Sequence, residues 1–230
     1  MSSFESPFQF STEAESSHKI EQLEKLEAPA QELLEQLREN IEREEYDSLL
    51  GDDGGARLHT LLLSMALKEI YGEKKRLKTF FIKGGRYIRE AKNEAATQAY
   101  IEQIREGLGK KTLVITEEIH TGRSVNALLE KLRKNGIGAD VATFATTEDE
   151  SFDQENRDSA GSRYFFGGAA FGVLSFNYDI SGIEDDIGSG GHAVLTESGV
   201  SMPEARRLAR ERIQRMAHRI AEKYLAKERV

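Results

Sequence analysis

The chain has no cysteine among its 230 residues. Disulfide bonds, thiolate metal sites and cysteine nucleophiles are therefore excluded. Disulfide-rich scaffolds belong to oxidising compartments, so the composition favours a cytoplasmic protein that depends on an ordinary hydrophobic core.

Long apolar segments are also lacking. Hydrophobic residues make up 38% of the chain and charged residues 31%, and no run approaches the 18 or so apolar residues that a membrane-spanning helix needs. We therefore expect a soluble protein without a membrane partner. Residues 1–17 are rich in Ser, Glu and Phe and lack the basic and apolar regions of a secretory signal, which predicts a disordered tail.

An overall positive charge is absent as well. The formal net charge is −8, which argues against nucleic-acid binding by the whole surface but is compatible with a small anionic ligand in a local site. Residues 204–229 carry nine Lys or Arg against four Glu. RNA binding through this segment stays open as an alternative, although a solvated helix face of mixed charge is commoner.

The apolar pattern that is present predicts alternating strands and helices. Short apolar runs suited to buried strands lie near 79–82, 112–116, 140–146 and 171–176. Helical patterns separate them, which favours an α/β fold with a mainly parallel sheet and helices on both faces. The length suits one such domain with additions at its two ends.

Residues 18–50 show helical periodicity interrupted at Pro29 and are predicted to form an N-terminal helical arm. The arm packs on the sheet or across a homodimer, and its acidic face is solvated or meets a partner helix. Residues 51–55 are Gly and Asp and predict a loop that caps the next helix or reaches a ligand. The α/β domain is then 51–230, ending in a helix at 203–228.

Residues 112–124 are the most informative stretch. The run Leu113–Thr116 fits a strand buried on both faces, and Ser124 is predicted to cap the helix that follows. After the strand come Glu117, Glu118, Ile119, His120, Thr121, Gly122 and Arg123. The N–H groups of a helix start, with the hydroxyls of Thr121 and Ser124, suit a phosphate monoester. An ordinary strand, loop and helix is the alternative.

A second motif follows the strand predicted at 79–82. It consists of the four residues Lys83, Gly84, Gly85 and Arg86. Consecutive glycines let the backbone approach a phosphate closely, and the flanking side chains supply positive charge. The motif indicates a second phosphate loop, with a simple turn as the alternative.

Together the two motifs resemble those of the type I phosphoribosyltransferases, in which a strand, two acids and Thr-Gly-x-Ser/Thr follow a pyrophosphate loop. The resemblance implies a phosphoribosyl pyrophosphate site, Mg²⁺ as cofactor and transfer of the 5-phosphoribosyl group to a nitrogenous acceptor. It implies that Thr121–Ser124 hold the 5′-phosphate and Lys83–Arg86 the pyrophosphate. Glu117 and Glu118 would hold the ribose hydroxyls, and Glu117 would also serve the metal.

The chain departs from the family pattern at the acids. Two residues separate Glu118 from Thr121 where the family usually has three, so in the register set by Thr-Gly the acid pair becomes Thr116 and Glu117. His120 then takes a position where some base-salvage members carry an acid, which implies acceptor contact or proton transfer. Only one helix fits between the motifs, where most members insert a catalytic loop. A non-catalytic sensor of phosphoribosyl pyrophosphate or a nucleotide is therefore the alternative function.

Overall fold

A computed structural model of the protein describes residues 22–52, 56–82, 91–146, 161–170 and 203–227. In this part of the chain five strands form one sheet in the order β2-β1-β3-β4-β5, and every pairing is parallel. The strands are β1 (Ser48–Asp52), β2 (Lys78–Ile82), β3 (Lys111–Ile119), β4 (Gly138–Thr146) and β5 (Tyr164–Ala170). The predicted parallel α/β class is confirmed.

Helices cover both faces of the sheet. A 3-10 helix at Leu23–Leu26 precedes α1 (Glu27–Gln36), α2 (Arg38–Glu42), α3 (Arg57–Tyr71), α4 (Ala91–Leu108), α5 (Arg123–Lys134) and α6 (Pro203–Lys227). One buried cluster joins α1, α3 and α6 to the sheet, and a second joins α4 and α5 to it. The predicted arrangement with helices on both faces is confirmed.

Successive residues of the central strands point to opposite faces. Leu113 and Ile115 of β3 belong to the cluster under α1, α3 and α6, while Val114 between them belongs to the cluster under α4 and α5. All three are 1% exposed or less. Burial on both faces explains why this strand is an unbroken apolar run in the sequence.

Strand β1 was not anticipated. The predicted helical arm includes Ser48–Leu50 and the predicted loop covers residues 51–55, whereas Gly51 and Asp52 end β1, which lies between β2 and β3. The loop prediction is wrong for these two residues, and the predicted boundary at residue 50 falls inside a strand. The glycine has a packing reason: a Cβ at Gly51 would lie 2.4 Å from Thr60 Oγ1 of α3.

Strand β5 begins earlier than the predicted strand at 171–176, which lies outside the described residues. Gly167 allows α1 to approach this strand, because a Cβ there would lie 2.9 Å from Pro29 Cβ. The side chain of Gln36 covers the outer edge of β5. It donates to the carbonyl oxygen of Phe166 at 2.8 Å and accepts from the Phe166 N–H at 3.1 Å, which occupies groups that an exposed edge strand would offer to another chain.

The N-terminal arm packs on the sheet of its own chain, and its partner helix is α6. Arg219 of α6 bonds Glu24 at 2.8 Å, and Lys223 bonds Glu27 at 3.0 Å. Part of the positive charge of the C-terminal helix is therefore neutralised within the molecule. The predicted interruption at Pro29 is wrong, because α1 runs from Glu27 through Pro29 to Gln36; proline is tolerated in the first turn of an α-helix.

A buried polar network lies at the amino end of β4, opposite the edge where the strands end. The side chain of Asp140 is 0% exposed. It accepts from the hydroxyl of Tyr46 at 2.8 Å and from the guanidinium of Arg163 at 2.6 Å, and its carboxylate lies 3.2 Å from Lys111 Nζ. This network ties residues of β3 and β4 to those that precede β1 and β5.

No helix in the described part of the chain is long and apolar enough to cross a membrane.

Candidate functional site

The strand order reverses between β1 and β3. The chain passes from β1 to β2 on one side and then returns past β1 to place β3 on the other. In open α/β sheets ligands bind in the crevice outside the carboxyl ends of the strands at such a switch point. In this protein that crevice lies where β1 ends at Asp52 and β3 ends at Ile119.

The turn from β3 into α5 is closed by a left-handed glycine. Gly122 has φ 68° and is the N-cap of α5, and its carbonyl oxygen accepts from the Asn126 N–H at 2.9 Å. Glycine adopts this conformation without the steric cost that a Cβ brings. The prediction that Ser124 caps the helix is wrong, because the helix begins at Arg123 and Ser124 is its second residue.

This turn presents polar groups at the start of a twelve-residue helix. No side chain caps the N-terminus of α5 within the described residues. Thr121 and Arg123 are exposed and Ser124 is half-buried. The positive end of the helix dipole therefore lies beside two hydroxyls and one guanidinium, a combination typical of anion sites.

The two acids at the end of β3 differ in environment. Glu117 is 9% exposed, whereas Glu118 is half-buried. Glu117 lies across from Phe144 in the ladder with β4, and Phe144 belongs to the cluster that α3 covers, so Glu117 starts from that face and the adjacent Glu118 from the opposite one. His120 follows the strand and is exposed. The two carboxylates therefore leave the strand in opposite directions.

The donor set fits Mg²⁺ in one respect. This ion commonly takes one or two protein carboxylates and completes its octahedron with waters and phosphate oxygens. Glu117 supplies one such carboxylate at the strand end, whereas Glu118 leaves the strand on the opposite face. Where side chains are described, no group of three or more His, Asp or Glu is arranged to hold a metal by itself, so a phosphate-bearing ligand would have to contribute.

The residues Lys83, Gly84, Gly85 and Arg86 lie outside the described part of the chain. They directly follow Ile82, the last residue of β2. Strand β1 separates β2 from β3, so the two motifs start from strands about 10 Å apart. The two motifs are predicted to follow adjacent or near-adjacent strands, and the near-adjacent alternative is confirmed.

Arg57 is a cation of this region to which neither sequence motif points. It is the first residue of α3, which follows β1, and its guanidinium lies 4.6 Å from the ring centroid of Phe81. A cation–aromatic contact of this kind holds the side chain in place. The sequence signal is a cation shortly after Asp52-Asp53-Gly54-Gly55. It indicates a place near the candidate site only when β1 is known to be a strand that ends there.

No protein-family model matches the chain, and no curated protein matches it. Among solved structures, it is similar to a purine phosphoribosyltransferase from Pyrococcus horikoshii Ot3. The two share 16% identity with a TM-score of 0.32, over 73% of this chain and 97% of that one. Neither value is high enough to assign a family or to transfer a residue's role.

Proposed function

We propose that this protein binds phosphoribosyl pyrophosphate and transfers its 5-phosphoribosyl group to a nitrogenous base or a related acceptor. The observation that supports this most is the turn at Thr121–Ser124, where a left-handed Gly122 opens a helix at the carboxyl end of β3. This turn lies beside the switch point of the sheet, where a ligand is expected on topology alone.

The 5′-phosphate would occupy this turn. Backbone N–H groups at the start of α5 point toward such an anion, and the hydroxyls of Thr121 and Ser124 add donors. Arg123 is exposed beside them and supplies a positive charge. These contacts fix the ribose end of the ligand at β3.

The diphosphate would extend from the ribose toward β1 and β2. Lys83 and Arg86 supply positive charge after β2, and Gly84 and Gly85 allow the backbone to approach the phosphates. Arg57 adds a guanidinium after β1, held over Phe81. A guanidinium binds two phosphate oxygens at once, which orients the leaving group.

The proposed reaction requires negative charge near the ribose and positive charge near the leaving pyrophosphate. Positive charge develops on the ribose as pyrophosphate leaves, so a carboxylate below the ring stabilises the transition state more than the ground state. Glu117 and Glu118 would hold the ribose hydroxyls, and His120 would contact the acceptor or take its proton. Mg²⁺, held by Glu117 with phosphate oxygens, would supply positive charge to the leaving pyrophosphate.

The first test compares the wild-type protein with Glu117→Gln. Wild type should bind phosphoribosyl pyrophosphate in calorimetry with Mg²⁺ and release pyrophosphate when an acceptor base is added. The amide keeps one hydrogen-bond acceptor, so the affinity should fall by no more than about 0.5–1.5 kcal/mol. Turnover should fall much further, because the charge that meets the transition state is lost. A variant that keeps wild-type turnover would contradict the role of Glu117.

A non-catalytic sensor is the second candidate. The observation that favours it is the short connection between β2 and β3. The described part of this connection is the single helix α4, and the connection is too short for the additional loop of most family members. Saturable binding of phosphoribosyl pyrophosphate without pyrophosphate release against any base would select this alternative. No binding at all would reject both functions.

The second test concerns the diphosphate loop. Lys83→Ala should weaken phosphoribosyl pyrophosphate by about 10- to 100-fold, the worth of one charge-assisted hydrogen bond, and should leave ribose 5-phosphate almost unchanged. Arg57→Ala should show the same selectivity, since this guanidinium also lies away from the Thr121–Ser124 turn.

Lys110→Ala is the matched control, because this exposed lysine precedes β3 at the other edge of the sheet. Calorimetry with both ligands measures each affinity. Equal losses for the two ligands would show that Lys83 and Arg57 do not hold the diphosphate.

A further inference from the structure

His59 is a buried imidazole to which no role has yet been given. It lies in the first turn of α3 and is 0% exposed. Its ring meets the ring of Phe144 edge-on, with the centroids 4.6 Å apart and the planes at 75°. Burying a polar ring is unfavourable unless its nitrogens are satisfied, so an apolar residue would fill this position at lower cost.

The contacts of α3 place His59 over β3. Thr60 packs on Gly51 of β1, and His59 packs on Phe144 of β4. Strand β3 lies between β1 and β4. A side chain that starts from a helix turn seated on β1 and reaches β4 must therefore cross the face of β3.

The register identifies the residue of β3 that His59 meets. Thr116 pairs with Thr143 and Glu118 pairs with Ala145, so Glu117 lies across from Phe144 in the ladder. Phe144 belongs to the cluster under α3, and residues paired across a ladder lie on the same face of the sheet, so Glu117 shares that face. The buried imidazole and the buried carboxylate therefore converge on Phe144 from two elements.

We propose that His59 is a positioning residue for Glu117. An imidazole N–H donates to one carboxylate oxygen from the α3 side, which fixes the carboxylate and leaves its second oxygen directed at the ligand. A buried carboxylate is stable only with such donors. The catalytic consequence rests on the proposed function, whereas the pairing of the two side chains does not.

A double-mutant cycle tests the pairing without any ligand. The unfolding equilibrium constant is measured in urea for His59→Gln, Glu117→Gln and the double variant. We expect the double variant to depart from the product of the single effects by at least about threefold, as neighbouring polar residues do. The cycle of Glu117→Gln with His218→Gln, an exposed histidine of α6, should be additive. Additivity in the His59 cycle would overturn the proposal.

Turnover separates positioning from packing. His59→Gln keeps an N–H donor, whereas His59→Leu suits the apolar surroundings but has none. We expect Gln to retain most of kcat and Leu to lose it, with KM for phosphoribosyl pyrophosphate changed less than threefold in both. Equal kcat values for the two variants would overturn the positioning role. Coupling in the cycle, together with a wild-type protein that binds no phosphoribosyl pyrophosphate, would support the pairing and reject the proposed function.

Discussion

Asp140→Ala is expected to lower the free energy of unfolding by about 1–3 kcal/mol, the usual cost of leaving a buried hydrogen-bonding group without its partner. The hydroxyl of Tyr46, which is 0% exposed, and the guanidinium of Arg163 both donate to this carboxylate. Its loss leaves the tyrosine hydroxyl buried without that acceptor. Urea denaturation measures the change.

Glu130→Ala is the control for this variant. Glu130 pairs with Lys134 on the surface of α5 at 2.9 Å, with both side chains more than half exposed. Such surface pairs contribute about 0–1 kcal/mol. A loss for Asp140→Ala as small as that of the control would show that the network contributes little to stability.

The same network predicts a dependence of stability on pH. Burial raises the pKa of Asp140, but hydrogen bonds from Arg163 and Tyr46 and the charge of Lys111 outweigh burial and hold this pKa below its usual value. A carboxyl with a depressed folded-state pKa stabilises the protein above its unfolded pKa of about 3.9, and the contribution is lost as the pH falls through the folded value. The difference in stability between wild type and Asp140→Ala should therefore shrink below about pH 4.

Gly122→Val is expected to abolish binding of phosphate, ribose 5-phosphate and phosphoribosyl pyrophosphate. The side chain would stand where the backbone must approach the anion, and a β-branched residue is disfavoured at φ 68°. Calorimetry with the three ligands measures the loss.

Gly136→Val is the matched control, because Gly136 has φ 74° and follows the opposite end of α5. Both variants should lose about 1–2 kcal/mol of stability from the left-handed backbone, but only Gly122→Val should lose the ligands. A folded Gly122→Val protein with wild-type affinity would rule out the turn as the phosphate site.

The parts of the fold that sequence predicted are those with a strong local signal. Strand β3 contains Leu113–Ile115 in succession, all buried, and its turn at Gly122 is marked by a glycine that the backbone requires. Strand β1 has two apolar residues followed by Gly51 and Asp52, so its identity comes from parallel neighbours on both sides. Tertiary pairing overrides local preference at such a strand.

The candidate site likewise has one part that local sequence predicts and another that only the fold reveals. Thr121 to Ser124 are consecutive, so their convergence can be predicted without knowledge of the fold. Arg57 and His59 acquire meaning only when β1 is recognised as a central strand, because that strand sets where α3 begins. The partners of Asp140 are likewise distant in sequence, with Tyr46 94 residues away, and no local pattern indicates them.

The ion pairs between the first helices and α6 have a consequence for how the protein forms. Arg219 bonds Glu24 across 195 residues, and α6 also fills the cluster that α1 shares with the sheet. Contacts so distant in sequence carry a large loop-closure entropy and slow folding. Leu23–Gln36 also leave the ribosome long before α6 is synthesised, because α6 follows them by more than 160 residues in the sequence. Their apolar side chains stay without full cover until α6 is made, which makes Leu23–Gln36 a natural target for chaperones.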